Sequence, residues 1–136
     1  MPLHITFILG LPGSGKTTLA NKLMTGLTTL IDDLNQNIVA VDAFKNAPTP
    51  YLIITDPLAV RYTPEWITTK LKELFGECTV DFIPFENDPL TAYYNTKKRG
   101  DGRVISRSSI FSDSLRYEPE LWGAPVEVYD AFAVDD

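Results

Sequence analysis

The segment from Gly10 to Thr17 constrains the fold of this chain more than any other. It spells the pattern Gly-x-x-x-x-Gly-Lys-Thr between an apolar run and a stretch with helical spacing of apolar residues. In such a loop the glycines let successive backbone N–H groups turn inward around phosphate oxygens, and the following helix adds the positive end of its dipole. The sequence therefore predicts a strand over Leu3 to Leu9, a phosphate-binding loop and a helix from about Lys16.

Side chains of this loop have predicted roles toward a nucleoside triphosphate. Lys16 is expected as a solvent-facing charge that reaches the β- and γ-phosphates, and Thr17 is expected to offer its hydroxyl to Mg²⁺. Thr18 is expected to pack or cap within the first helical turn. The alternative is a glycine-rich turn without a ligand, and the strand and helix on either side argue against it. The predicted nucleotide-binding residues are Gly10, Pro12, Gly13, Ser14, Gly15, Lys16, Thr17 and Thr18, and the predicted cofactors are ATP and Mg²⁺.

The rest of the chain alternates strand and helix patterns. Helices are predicted for four segments, which are Ile38 to Phe44, Pro64 to Phe75, Leu90 to Lys98 and Ser108 to Tyr117. Strands are predicted over Thr28 to Ile31, Tyr51 to Thr55 and Thr79 to Phe85, with a short edge strand over Val126 to Tyr129. Because strands alternate with helices, we expect a mostly parallel sheet of four to five strands with helices on both faces. The predicted fold class is an α/β P-loop NTPase fold in a single domain over residues 1–136.

The composition agrees with that domain and excludes other classes. Hydrophobic residues make up 44% and charged residues 22%, the balance of an ordinary soluble globular protein. The net charge of −6 argues against broad non-specific binding to nucleic acid. Neither a signal peptide nor an apolar run long enough for a bilayer is recognisable, so a cytoplasmic location is the expectation. The single cysteine, Cys78, is interpreted as a small core residue in a reducing compartment.

Three aspartates follow predicted strands, where ligands bind in open α/β sheets. Asp32 is predicted as the general base that accepts a proton from a substrate hydroxyl, since its neighbour Asp33 would point to the opposite side. The alternative for Asp33 is a helix cap after Leu34. Asp56 is predicted as a second Mg²⁺ ligand, and the alternative is an aspartate that starts a turn before Pro57.

A basic segment over residues 97–107 predicts a mobile lid. It contains Lys97, Lys98, Arg99, Arg103 and Arg107, and the two glycines at positions 100 and 102 allow it to move. Arginines that close over the γ-phosphate stabilise the charge of the transition state. Arg99 and Arg103 are the predicted catalytic residues of this lid, while Arg107 is either a further lid residue or part of a solvated turn. For the whole segment the alternative is a solvated basic turn.

With these segments in view, the chain resembles small phage-type kinases of the polynucleotide kinase-like P-loop group. The resemblance lies in the phosphate loop, the Asp32-Asp33 pair, Ile53-Ile54-Thr55-Asp56 with the helix after it, and Phe85-Glu86-Asn87-Asp88-Pro89 running into Lys97-Lys98-Arg99-Gly100. It implies that Asp32 activates a 5′-hydroxyl and that Arg99 is a lid arginine. The chain departs from the family at Asn35, where an arginine would contact a phosphate of the acceptor. The segment between Asp33 and Asp56 is also short for a helical acceptor-binding subdomain.

The sequence therefore predicts an ATP-dependent phosphotransferase. The γ-phosphoryl group would pass to the 5′-end hydroxyl of a nucleotide or polynucleotide, with a nucleoside triphosphate as the donor and no membrane as a partner. One alternative is a nucleoside monophosphate kinase. Another is a nucleotide-binding NTPase or regulator that acts through a protein partner, and a third is a structural P-loop domain that binds nucleotide without turnover.

Overall fold

A parallel sheet forms the centre of the protein in the part of the chain that the computed structural model describes, residues 2–34, 37–99 and 107–128. Its four strands are β1 (Leu3–Leu9), β2 (Thr28–Ile31), β3 (Tyr51–Thr55) and β4 (Cys78–Pro84). The strand order is β2-β3-β1-β4, and every neighbouring pair is parallel. The carboxyl ends of all four strands therefore lie at one edge of the sheet, as the predicted fold class requires.

Helices follow the strands in the predicted order. The α-helices are α1 (Lys16–Leu23), α2 (Ile38–Asn46), α3 (Pro64–Phe75), α4 (Pro89–Arg99) and α5 (Arg107–Ser114). Shorter 3₁₀ helices cover Pro57–Arg61 and Pro119–Leu121. None of the helices in the described ranges is long and apolar enough to cross a membrane.

Local sequence explains where α2 and α3 begin. Thr63 caps α3 by accepting a hydrogen bond from the N–H of Trp66 at 3.2 Å, and a proline follows at the first helical position. Asn37 caps α2, because its Oδ1 accepts from the N–H of Ala40 at 3.3 Å. The alternative that Asp33 caps this helix is therefore wrong, since the helix begins five residues after it, at Ile38.

The two faces of the sheet are covered unequally. On one face, 18 buried residues of the described part of the chain, from β1, α2, α3 and the later helices, form the main core, which includes Phe7, Phe44 and Leu71. On the other face a smaller cluster of five buried residues joins α1 to the sheet, namely Ile8, Ala20, Ile53, Phe85 and Val128. Cys78 is buried in the main core, and this burial raises the pKa of its thiol. Its interpretation as a core residue is confirmed.

The last described residues differ from the prediction. The edge strand expected over Val126 to Tyr129 is reduced to one parallel bridge between Phe85 and Val126, and Tyr129 lies outside the described residues. The last α-helix ends at Ser114 and not at Tyr117. Tyr117 instead leaves the helix because its buried hydroxyl donates to the carbonyl of Phe85. A hydrogen bond to a distant segment thus overrides the local helical pattern.

Candidate active site

The loop between β1 and α1 has the backbone geometry of an anion-binding cradle. Gly13 and Gly15 have φ values of 87° and 104°, a left-handed region that side chains with a Cβ rarely adopt. Gly15 is the N-cap of α1, and as a glycine it makes no side-chain cap hydrogen bond. The first N–H groups of a helix have no acceptor within the helix and are suited to binding phosphate oxygens.

Lys16 lies across this loop and is not exposed to solvent. Its Nζ donates to the carbonyl of Gly10 at 3.1 Å and to the carbonyl of Leu11 at 2.9 Å, and the residue is only 8% exposed. The expectation of a solvent-facing lysine is therefore wrong. A buried ammonium needs partners of negative charge or partial charge, and these two carbonyls supply them. They also position the ammonium beside the loop where phosphates would bind.

Two features test whether the loop fits a triphosphate. Ser14 Oγ is fully buried and has no hydrogen-bond partner among the described residues, which is costly unless a ligand supplies one. A Cβ added at Gly10 would lie 3.0 Å from Cβ of Phe85, so a larger residue there would need its neighbours to shift. An anionic ligand fits this loop. It would meet the unpaired hydroxyl of Ser14, a helix start without a side-chain cap and the ammonium of Lys16.

Asp32, at the carboxyl end of β2, is tied directly to this loop. Its Oδ1 accepts from Thr17 Oγ1 at 3.3 Å, so the predicted base and the predicted Mg²⁺ ligand lie side by side. The Thr55 hydroxyl, at the end of β3, also donates to Asp32 Oδ1. Thr55 Oγ1 in turn accepts from the backbone N–H of Asp33 at 3.3 Å. This chain of hydrogen bonds fixes the orientation of the Asp32 carboxylate.

Sequence reasoning missed Thr55 as a member of this network. It is fully buried, and its partners lie more than 20 residues earlier in the chain. The available signal was a hydroxyl residue that ends the apolar run of β3, directly before Asp56. Only the pairing of β2 with β3, which aligns Ile31 with Ile54, brings that hydroxyl to Asp32.

Asp33 has an unusual backbone conformation. With φ of 53° it lies in the left-handed region, which a short polar residue tolerates better than most. The turn follows directly after Asp32, whose carbonyl accepts from Nδ2 of Asn37 at 2.9 Å. Both ends of this turn are thus hydrogen-bonded, and Asn37 connects it to the start of α2.

Asp56 follows β3 and starts the turn before Pro57, as the alternative to a Mg²⁺ ligand predicted. Its Oδ1 accepts from the N–H of Leu58 at 2.9 Å and so caps the 3₁₀ helix that begins at Pro57. The residue is 7% exposed. A carboxylate can accept several hydrogen bonds, so this cap leaves room for another role. The assignment of Asp56 as a Mg²⁺ ligand stays a prediction.

Helix α4 packs directly on the phosphate loop. Asn95 Nδ2 donates to the carbonyl of Gly13 at 2.9 Å, and Asn95 is 7% exposed. A Cβ added at Gly13 would lie 2.2 Å from the carbonyl oxygen of Ala92. Gly13 is therefore required both by its backbone conformation and by the close approach of the helix. Sequence reasoning missed Asn95, because the contact joins residues 82 positions apart.

The basic segment lies at the end of this same helix. Lys97 places Nζ 5.5 Å from the ring centroid of Tyr93, and Arg99 is the last residue of α4. Residues 100–106 lie outside the described residues, as do the side chains of Arg99 and Arg107, so the structure does not test the predicted lid. Arg103 falls within the undescribed part. What the structure adds is that the helix leading into this segment contacts the phosphate loop.

Three solved structures share the fold of this chain. A chain of the Pnkp1/Rnl/Hen1 RNA repair complex matches with a TM-score of 0.61 and 16% identity, covering 84% of this chain and 43% of that one. A gluconokinase from Sinorhizobium meliloti 1021 matches with a TM-score of 0.58 and 14% identity, covering 97% and 86% of the two chains. A shikimate kinase from Bacteroides thetaiotaomicron matches with a TM-score of 0.50 and 15% identity, covering 98% and 89%.

The chain thus spans less than half the length of the RNA repair chain that it matches. No family model matches the sequence, and no curated protein is significantly similar to it. The similarities are between folds, at identities of 14 to 16%. Together with the parallel sheet and the loop after β1, they show that the chain has an α/β P-loop NTPase fold.

Proposed function

We propose that the chain is an ATP-dependent kinase of the polynucleotide kinase-like type, which transfers the γ-phosphoryl group to the 5′-end hydroxyl of a nucleotide or polynucleotide. The observation that supports this most directly is the hydrogen bond between Thr17 of the phosphate loop and the carboxylate of Asp32. A carboxylate beside the phosphate loop is placed to accept a proton from an incoming hydroxyl. The three structures of similar fold are kinases or part of an RNA repair complex, which favours the same class of reaction.

The donor would bind with its phosphates in the cradle before α1. Backbone N–H groups of the loop and of the first turn would contact phosphate oxygens, and Lys16 would add its charge to the β- and γ-phosphates. Mg²⁺ fits the oxygen ligands at Thr17, with Asp56 as the further candidate, and would offset charge on the phosphate oxygens.

The transfer itself needs one proton acceptor and one leaving group. The acceptor oxygen would attack the γ-phosphorus, its proton would pass to Asp32, and the bond from the γ-phosphorus to the β,γ-bridging oxygen would break, releasing ADP. Two hydroxyl groups already bind Oδ1 of Asp32, and a carboxylate has further acceptor positions for the substrate hydroxyl. Arg99 and Arg103 would then stabilise the charge of the transition state.

A screen of acceptors tests this proposal. The protein would be incubated with γ-labelled ATP and Mg²⁺ against nucleosides, nucleoside monophosphates, 5′-hydroxyl DNA and RNA oligonucleotides, gluconate and shikimate. We expect label on a 5′-hydroxyl acceptor. Label on a nucleoside monophosphate alone would assign a nucleoside monophosphate kinase, and label on gluconate or shikimate alone would overturn the proposed acceptor. Release of inorganic phosphate without any labelled acceptor would instead favour the NTPase alternative.

A further inference from the structure

A cavity of about 260 Å³ lies between α2, the 3₁₀ helix Pro57–Arg61 and α3. Two of its lining residues are close in sequence to members of the Asp32 network. Leu34, two residues after Asp32, lines it, and so does Asp56, which directly follows Thr55. A molecule bound in this cavity would therefore contact residues that are close in sequence to Asp32 and Thr55.

The lining of the cavity discriminates between classes of acceptor. Asp56 and Lys70 are its only charged residues among those described, and most of the others are aliphatic, including Leu34, Ile38 and Leu71. A sugar acid or another polyol would leave several hydroxyl groups without partners there, and each such group is costly to bury. A flat ring with few polar atoms fits the lining better, because it replaces water against apolar side chains.

Two aromatic side chains complete the cavity. The rings of Tyr62 and Trp66 are stacked, with centroids 4.1 Å apart and an interplanar angle of 9°. Both side chains line the cavity and remain 45% and 43% exposed. Lys70 Nζ lies 5.4 Å from the centroid of the Trp66 ring, and Lys70 also lines the cavity. Partly exposed aromatic side chains next to a cation are the chemistry that stacks nucleobases and attracts their phosphates.

We infer that this cavity binds the nucleobase of the phosphate acceptor, with Tyr62 and Trp66 as the stacking surface. That the bound molecule is a phosphate acceptor rests on the proposed kinase function. Binding of the base does not itself need phosphoryl transfer, so it can be tested separately. The acceptor is then a nucleoside or the terminal nucleotide of a nucleic-acid strand. Gluconate and shikimate, after which two of the similar structures are named, are polyhydroxylated acids and belong to a different class.

Tryptophan fluorescence gives a direct readout of binding. The chain has two tryptophans, and Trp122 is 7% exposed and packs on Phe82, so ligand-dependent changes at the cavity report on Trp66. Adenosine, uridine and 5′-hydroxyl dinucleotides would be titrated into the wild type and into Lys16→Ala. We expect a saturable change in both proteins, and no change with gluconate or shikimate. An unchanged signal with all nucleosides and dinucleotides would overturn the inference, as would an equal change in Trp66→Phe.

A matched pair of variants on α2 sharpens the test. Ile38 lines the cavity and is 66% exposed, whereas the adjacent Val39 is 76% exposed and is not part of the lining. Both lie in the first helical turn, where an aspartate is tolerated. We expect Ile38→Asp to weaken dinucleotide binding about tenfold, since it places a charge against an apolar ring. Val39→Asp should leave binding within about twofold. Equal effects of the two substitutions would contradict the assignment.

The two proposals fail in distinguishable ways. If dinucleotides change Trp66 fluorescence but no acceptor is labelled from ATP, the kinase proposal fails and the base-binding cavity stands. If an acceptor is labelled and neither nucleosides nor dinucleotides alter Trp66 fluorescence, the cavity assignment fails and the kinase proposal stands.

Discussion

The residues of the phosphate loop are consecutive in the chain, whereas those of the cavity beside Asp56 come from separate elements. The loop uses consecutive residues, and its ligand-binding groups are mainly backbone N–H groups whose directions are set by glycine conformations at positions 13 and 15. The cavity uses side chains from α2, the 3₁₀ helix and α3, which meet only through the sheet. A site built from local backbone can be recognised in a sequence, whereas one built from distant side chains needs the fold. Donor binding is therefore far better defined by the sequence than acceptor choice.

Removing the charge of Lys16 should lower catalytic efficiency more than any other substitution considered below. Because Lys16 places its ammonium beside the loop of the proposed phosphate site, Lys16→Ala should lower kcat/KM by about a thousandfold or more, roughly 4 kcal/mol of transition-state stabilisation. Mg-ATP should raise the melting temperature of the wild type and not of this variant. Unchanged turnover would mean that the loop is not the catalytic donor site.

Gly13 tests whether the loop depends on the helix above it. In Gly13→Ala the new Cβ would lie 2.2 Å from the carbonyl oxygen of Ala92, at a φ of 87°. We expect the free energy of unfolding in urea to fall by about 3 kcal/mol. Gly26→Ala is the matched control, since a Cβ there meets nothing within 4 Å, and it should stay within about 0.5 kcal/mol of the wild type. Equal unfolding midpoints for the two variants would show that α4 can move away from the new Cβ at little cost in free energy.

Asp32, which accepts a hydrogen bond from Thr17, should affect turnover more than donor binding. Asp32→Asn should lower kcat about a hundredfold, since general base catalysis is lost, while the Kd for Mg-ATP changes by less than about threefold. Asp33→Asn should be milder, because asparagine tolerates the left-handed conformation. Thr55→Val should fall between them, since it removes one hydroxyl that orients the carboxylate. A greater loss in Asp33→Asn than in Asp32→Asn would exchange their roles.

Asn95 tests how closely α4 controls the geometry of the loop. Asn95→Ala removes the hydrogen bond to the carbonyl of Gly13, so we expect the Kd for Mg-ATP to rise about fivefold to tenfold, as for the loss of one hydrogen bond. Calorimetric titration with nucleotide measures this without turnover. Leu90→Ala, at a half-exposed position of the same helix, is the control and should bind like the wild type. Parallel losses in both variants would indicate damage to the helix and not to the loop contact.

Tyr117 should give the smallest effect at neutral pH. Its hydroxyl donates to the carbonyl of Phe85, behind Gly10, so Tyr117→Phe should cost about 1 kcal/mol of unfolding free energy at pH 7. Burial raises the pKa of Tyr117, chiefly by desolvation, so the folded state favours the neutral phenol. That contribution is complete below the unfolded pKa of about 10 and is lost as the pH rises above it. The stability gap between wild type and Tyr117→Phe should therefore narrow in alkaline urea titrations, and a constant gap would contradict this.

The sequence predicted the strands and the loop because both depend on short-range patterns. β1 and β3 match their predicted bounds, and the loop lies between β1 and α1 as expected. The burial of Lys16 could not be predicted, since it depends on carbonyls that turn toward the ammonium only in the folded loop. Asp33 was a plausible helix cap by residue type. The cap is Asn37, because its side chain accepts from the N–H of Ala40 in α2 and also donates to the carbonyl of Asp32. Thr55 and Asn95 act across long chain separations that no local pattern encodes.

The position of β3 in the sheet has a consequence for synthesis on the ribosome. Thr17 and Asp32 are only 15 residues apart in the chain, yet β3 must pair between β1 and β2 before the Thr55 hydroxyl can orient the carboxylate. A nascent chain that has exposed only the loop and Asp32 would therefore lack an ordered reaction centre, because long-range parallel pairing forms late compared with local contacts. The Asn95 contact closes over the loop later still, after α4 has emerged. During synthesis the proposed site would therefore be complete only after most of the chain has folded.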